Sequence, residues 1–155
     1  MNHQGVSEIV FEETYTVPSD QTAKSLFARL PHGSQYAETL IECLATGYLI
    51  AIAESICIRE MQRQIDPEIE VIVGRSIQIE HRGPVPAGGK LRLQGWVERL
   101  GRRSATFCVR AYDAHEIVCE CSLKLVAAHR GSMETCIATK VKALQVNKLT
   151  EEYTS

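Results

Sequence analysis

No stretch of this chain is apolar for long enough to cross a bilayer. The longest charge-free run in its most apolar segment, Cys43 to Ala53, falls well short of the ~20 residues a membrane-spanning helix needs. Charge of one sign is never concentrated either: the 17 Lys and Arg residues are scattered and the formal net charge is −2, which leaves no footprint for a nucleic-acid backbone. The amino terminus carries Glu8, Glu12 and Glu13 and no apolar run, unlike a secretory leader, so a cytoplasmic protein is expected. Internal repeats, low-complexity segments and Pro/Ser-rich linkers are missing as well. The 155 residues are enough for one domain with a real core.

Cys-x-x-Cys pairs and tight Cys/His groups are also missing, so neither a metal nor any other cofactor is expected. The six cysteines then read as reduced, buried thiols rather than as a disulfide framework. Cys119 and Cys121, two apart in a strand-like stretch, share a face with Ile117 and Leu123.

What the chain does have is pattern. Ile9, Phe11 and Tyr15 are spaced for one face of a strand from Glu8 to Val17, ended by Pro18-Ser19-Asp20. A short segment from Thr22 to Leu30 and a break at Pro31-His32-Gly33-Ser34 precede a long helix, expected near Ala37 to Arg63 and stopped by Asp66-Pro67. From there to Arg130 the period is two, and four strands fit. Val71, Val73, Ile77, Ile79 and His81 are expected on one face of the first; Leu91, Leu93 and Val97 share a face of the second. Ala105, Phe107, Val109 and Ala111 mark the third, and Ile117, Cys119, Cys121, Leu123, Leu125 and Ala127 the fourth.

An antiparallel sheet with one apolar face needs a cover, and only one long apolar helix is available. The expected class is therefore α+β, a five-stranded antiparallel sheet wrapped around a central helix, spanning residues 1–130. In the tail, 131–155, Ile137, Val141 and Leu144 have weak amphipathic spacing, which fits a short docking helix or a disordered, frayed end.

Apolar residues cover nearly every side of the central helix, so most of it is expected to be buried. Glu54 then stands in a poorly solvated place. A carboxylate there must find hydrogen-bond donors or a cation, or take up a proton, which makes it a candidate site residue.

Strand, long helix and four strands is the order of the hotdog fold, and the local sequence sharpens the likeness. From about Thr14 to Arg130 the chain resembles the hotdog thioesterases of the fluoroacetyl-CoA thioesterase type. The residues that carry this are the Tyr15-Thr16-Val17-Pro18 start, Ala45-Thr46-Gly47 in the helix, the acid in Ile52-Ala53-Glu54, and His81 in Ile79-Glu80-His81 before a Pro-containing turn. The resemblance implies a catalytic set of Thr46, Glu54 and His81, with Gly74 beside the bound acyl group and Gly47 and Tyr36 as further substrate contacts. It also implies a homodimer with pockets between subunits, alone or as a dimer of dimers. The fluoroacetyl-specific members have phenylalanines leading into the helix; between Ser34 and Glu42 this chain has only Tyr36 as an aromatic.

Thioester hydrolysis needs an activated water or a nucleophile and a stabilised oxyanion, but no strong acid to expel the thiolate. Glu54 suits a general base or a nucleophile, His81 an oxyanion donor or proton shuttle, and Thr46 a water-orienting group, a carbonyl ligand or a nucleophile. Eight helical residues separate Thr46 from Glu54 by about 12 Å along the axis, so they border one elongated pocket rather than touch. The expected activity is hydrolysis of a small acyl-CoA. The rival is an acyl-CoA-binding sensor that uses the same pocket without turnover. A hydratase would show an Asp and His motif after the first strands, which is missing. Arg102-Arg103 reads as a solvated turn or as a pair for the phosphates of coenzyme A.

Overall fold

The computed structural model of the chain describes residues 9–154; Glu8, the expected start of the first strand, lies outside the described residues. In chain order come β1 (Ile9–Thr16), α1 (Ala23–Ala28), two 3-10 turns (Gly33–Gln35 and Ala37–Thr39), α2 (Thr46–Gln62), β2 (Glu70–His81), β3 (Lys90–Leu100), β4 (Ser104–Tyr112), β5 (Ile117–His129) and α3 (Arg130–Thr154). The five strands form one antiparallel sheet in the order β1-β3-β4-β5-β2. It wraps α2 as the apolar pattern requires. Leu49, Ile52, Ala53, Ile56 and Cys57 of the helix are buried against Leu91, Leu93, Phe107, Val109, Leu123 and Leu125 of the sheet. The inward face of β3 runs Leu91, Leu93, Gly95, and Gly95 leaves the space that the ring of Phe11 from β1 fills.

The tail, expected as a short docking helix or a frayed end, is one continuous 25-residue helix, α3, and three features of the wrapped domain also differ from the sequence reading. The central helix begins at Thr46, not Ala37. After the 3-10 turn Ala37–Thr39, the chain at Leu44 and Ala45 is tied to distant backbone: Leu44 N–H donates to Val85 O at 2.7 Å and Ala45 N–H to Gln21 O at 3.0 Å. A chain tethered in this way cannot close helical turns there.

The second difference is in β2, where Val71 and Val73 do not share a face with Ile77, Ile79 and His81. A bulge between Gly74 and Ser76 inserts one residue at Arg75 and reverses the alternation. Ile72 pairs with Ala127 and Gly74 with Leu125 before the bulge. Beyond it Ile77 pairs with Leu123, Ile79 with Cys121 and His81 with Cys119. All five partners are inward-facing, so Ile72, Gly74, Ile77, Ile79 and His81 form the true inner row.

The third difference is α2 itself, which is not buried on every side. Gly47, Ala51 and Ser55 are exposed, and Ile50 and Glu54 are half-buried. On that side the sheet ends at β2, which pairs with β5 on one edge and has no neighbouring strand on the other among the described residues.

None of the described helices is long and apolar enough to cross a membrane. All six cysteines are free thiols: Cys57, Cys119 and Cys121 are buried, Cys43 and Cys108 half-buried, and Cys136 exposed. Burial pushes the Cys57 thiol up from its ordinary pKa, which keeps it protonated and inert. The outer face of the sheet is polar where Glu80 and Arg82 flank His81. There Glu120 accepts from both Arg82 and Arg110 at 2.8 Å, and the Arg110 guanidinium lies 5.6 Å from the Trp96 ring centre.

Candidate active site

Two hydrogen bonds set the tautomer of the neutral His81 ring. Its Nε2 lies 3.0 Å from the carbonyl oxygen of Gly83. A carbonyl only accepts, so in the neutral imidazole Nε2 carries the proton and Nδ1 offers its lone pair. Thr46 Oγ1 lies 2.9 Å from Nδ1 and therefore donates to it. The Gly83 carbonyl is itself well placed, because the Arg82 and Gly83 N–H groups both donate to the carbonyl of Val118, at 2.7 and 3.2 Å. The result is a chain of polarisation from a rigid backbone carbonyl through an imidazole to an exposed hydroxyl.

That hydroxyl stands at the first residue of α2. The helix starts there without a side-chain cap, so its first N–H groups, those of Thr46, Gly47 and Tyr48, have no acceptor within the helix and carry the positive end of its dipole. Thr46, Gly47 and His81 line one cavity of about 270 Å³, together with Phe27, Leu44 and Pro84. Phe27, on α1, is the aromatic that the sequence reading missed. The expected Tyr36 does not line this cavity; its ring stands 6.3 Å from that of Phe27, tilted by 50°, and so backs the ring that does. Leu26 of α1 packs over Gly47, where an added Cβ would meet its Cδ2 at 3.3 Å.

Glu54 and Gly74 form the other half of the expected site. They share a cavity of about 210 Å³ with Ile50, Ser76, Ile77 and Leu125. Glu54 Oε1 occupies the space in which a side chain at position 74 would begin, so the glycine is what admits the carboxylate. Glu54 is half-buried rather than deeply enclosed, and it makes no hydrogen bond or ion pair with any described residue. Arg75 and Lys124 line the same cavity without binding it. A carboxylate held against an apolar wall and left unpaired is free to act on a third body.

The fold thus brings Thr46 to His81 and Glu54 to Gly74, but within one chain it does not join the two pairs. Their cavities have no lining residue in common. Arg102 and Arg103 lie elsewhere, around a cavity of about 540 Å³ at the far end of α2. Arg103 is paired with Glu70 at 2.9 Å. Among the described residues no group of three His, Cys, Asp or Glu side chains is placed to hold a metal ion.

The chain is similar to known proteins in sequence and in fold. Residues 31–131 match the family described as fluoroacetyl-CoA-specific thioesterase. The fluoroacetyl-CoA thioesterase of Streptantibioticus cattleyicolor is 24% identical over 103 residues, which cover 66% of this chain and 70% of that protein. Among solved structures, a fluoroacetyl-CoA thioesterase superposes with a TM-score of 0.76 at 21% identity, over 90% of this chain and 98% of the other. A hot-dog-like protein from Thermanaerovibrio acidaminovorans gives 0.71 at 16% identity, over 88% and 92%. These likenesses give the fold its name: it is a hotdog.

Proposed function

The chain belongs to the fluoroacetyl-CoA-specific thioesterase family, and on that premise we propose that it hydrolyses a small acyl-CoA thioester using Thr46, His81 and Glu54. The observation that carries this reading is the hydrogen-bond chain from the Gly83 carbonyl through His81 to Thr46. A pure binder gains nothing from a hydroxyl polarised in this way. The acyl carbonyl sits at the start of α2, where the free N–H groups and the helix dipole meet the developing oxyanion. Glu54, admitted by the space at Gly74, activates water or attacks the carbonyl, and the acyl group lies beside Gly47 and Gly74. Tyr36 acts on it through Phe27.

The working unit in this reading is a homodimer, joined through the open edge of β2. That edge leaves backbone groups unpaired and exposes Ile77, which is 40% accessible. Facing positions in an antiparallel pair add to a constant. A two-fold axis near Ile77 therefore sets His81 of one protomer opposite the Val73–Gly74 stretch of the other, and Glu54 lies against that stretch. Each site then takes Thr46 and His81 from one chain and Glu54 from its partner. The six free thiols suit a reducing, cytoplasmic compartment.

The test is turnover of acetyl-, fluoroacetyl- and longer acyl-CoAs, followed by release of free thiol, with subunit mixing as the decisive arm. Thr46→Ala and Glu54→Gln homodimers should each be nearly inactive. Mixed in equal amounts and allowed to exchange, they should recover about a quarter of the wild-type rate, because half of the dimers are mixed and each of those holds one intact site. Recovery of nothing would place all three residues of a site in one chain; full activity in the single variants would refute the catalytic set.

A further inference from the structure

The helix α3 begins where β5 ends, and its root is fixed by Arg130. The Arg130 backbone N–H donates to Ile69 O and its Nε–H to Pro67 O, both at 2.8 Å. Beyond the root the helix leaves the sheet. From Glu134 to Lys148 every residue is exposed, including Ile137, Val141 and Leu144 at 56%, 45% and 62%. A 25-residue helix of this composition is a poor candidate for standing alone in water. Thr135, Ile137, Thr139, Val141, Val146 and Thr150 are β-branched and lose side-chain freedom in a helix. Long helices that hold together in proteins do so by packing an apolar face.

The apolar face here has the form of a seam. Glu134, Ile137, Val141, Leu144 and Lys148 follow one another at spacings of three, four, three and four, which keeps them on a narrow strip roughly 80° wide. Such a strip suits one partner helix rather than a core. It is also symmetric in a particular way: an acid and a lysine close its two ends, each seven residues from Val141.

We propose that α3 pairs antiparallel with α3 of a second copy of this chain, about a two-fold axis at Val141. In that register Ile137 of each copy lies beside Leu144 of the other. Glu134 of each faces Lys148 of the other, so the charge pattern is satisfied twice. Parallel pairing would set Lys148 against Lys148 and Glu134 against Glu134. The proposal rests on α3 alone and is independent of the thioesterase reading.

The experiment is light scattering on the full-length chain at micromolar concentration, with far-ultraviolet circular dichroism and thermal melting on the same samples. Val141→Glu should halve the assembly mass and reduce the helical signal while the melting of the sheet domain persists. Glu134→Lys and Lys148→Glu should each lower the assembly mass, and the double variant should restore it. On one helix these two positions are about 21 Å apart, so rescue requires contact between copies. An unchanged mass for Val141→Glu overturns the proposal. So does a double variant that fails to reassemble.

Discussion

Gly74 and Glu54 share one volume: the carboxylate Oε1 lies where the side chain of residue 74 would begin. The two positions are twenty residues apart, on the edge strand and on the central helix, and Gly74 faces the helix as the last inward residue before the strand bulge. A glycine in the interior of a strand weakens it. Here the gap it leaves positions the Glu54 carboxylate, which pairs with none of the described residues.

Gly74→Ala should therefore damage catalysis rather than folding. The end of the Glu54 side chain is flexible and can move out of the way, so the thermal midpoint should hold or rise slightly. Displacing a reacting carboxylate by about 1 Å costs on the order of 100-fold in rate. A melting curve and kcat measured on one preparation decide the matter; a lowered midpoint with unchanged kcat would show that the glycine serves the strand alone.

Glu54→Gln keeps the shape and removes the base. Turnover should fall by about two to four orders of magnitude, while an unreactive acyl-CoA analogue still binds. Near-normal turnover would remove Glu54 from the chemistry and favour a sensor role for the pocket.

Thr46 and His81 should behave as a unit. Thr46→Ser keeps the hydroxyl at its place on α2 and should retain most of the activity, whereas Thr46→Val should lose it. Since the hydroxyl and Nδ1 act through one hydrogen bond, combining Thr46→Val with His81→Ala should cost little more than either change alone. Additive losses in kcat/KM would mean that the two side chains act on different atoms of the substrate.

The sheet was legible because its period-two pattern is local, and β4 follows it without exception: Ala105, Phe107, Val109 and Ala111 are all buried. The bulge at Arg75 was not legible. Adding one residue between Gly74 and Ser76 changes no residue type, and Val71, Val73 and Ile77 read as a single face until the β5 pairing is known. The start of α2 was hidden for a similar reason, since Leu44 and Ala45 are held extended by partners at Val85 and Gln21 rather than by anything nearby. Thr46 and His81 lie 35 residues apart; they were named through the family resemblance, and only the fold shows that they touch. Phe27 escapes the sequence because nothing local in its short segment marks a helix packed over the start of α2.

Asp113 offers a test at the β4–β5 turn. Its carboxylate accepts from the His115 and Glu116 N–H groups at 2.7 and 2.8 Å, which holds it below its ordinary pKa. A carboxyl depressed in the folded state stabilises above its unfolded pKa of about 3.9, and the contribution fades as pH falls through the folded value. Asp113→Ala should lower the melting temperature at neutral pH, and the gap to wild type should close in acid, below about pH 4. A gap that persists at the acid end would point to the loss of the turn geometry rather than of the charge.

Substrate choice turns on what stands over the Thr46–His81 cavity. The residues leading into α2 supply no phenylalanine, and the aromatic that lines the cavity is Phe27, reached from α1 and backed by the exposed ring of Tyr36. A ring held by a short helix and a half-open neighbour closes less tightly than a buried gate. Fluoroacetyl-CoA should then hold little advantage over acetyl-CoA beyond the activation that fluorine gives the carbonyl, and somewhat larger acyl groups should be accepted. Phe27→Ala should widen the cavity further and shift kcat/KM toward butyryl- and phenylacetyl-CoA. Tyr36→Ala should move it in the same direction by a smaller factor, because Tyr36 acts only through Phe27. One packing contact is worth about 1–3 kcal/mol of discrimination, or 10- to 200-fold. The measurement is kcat/KM for acetyl-, fluoroacetyl-, butyryl- and phenylacetyl-CoA on wild type and both variants. A fluoroacetyl preference many orders of magnitude beyond the ratio of the hydroxide-catalysed rates would mean that Phe27 and Tyr36 close as a complete gate, and both variants should then abolish it.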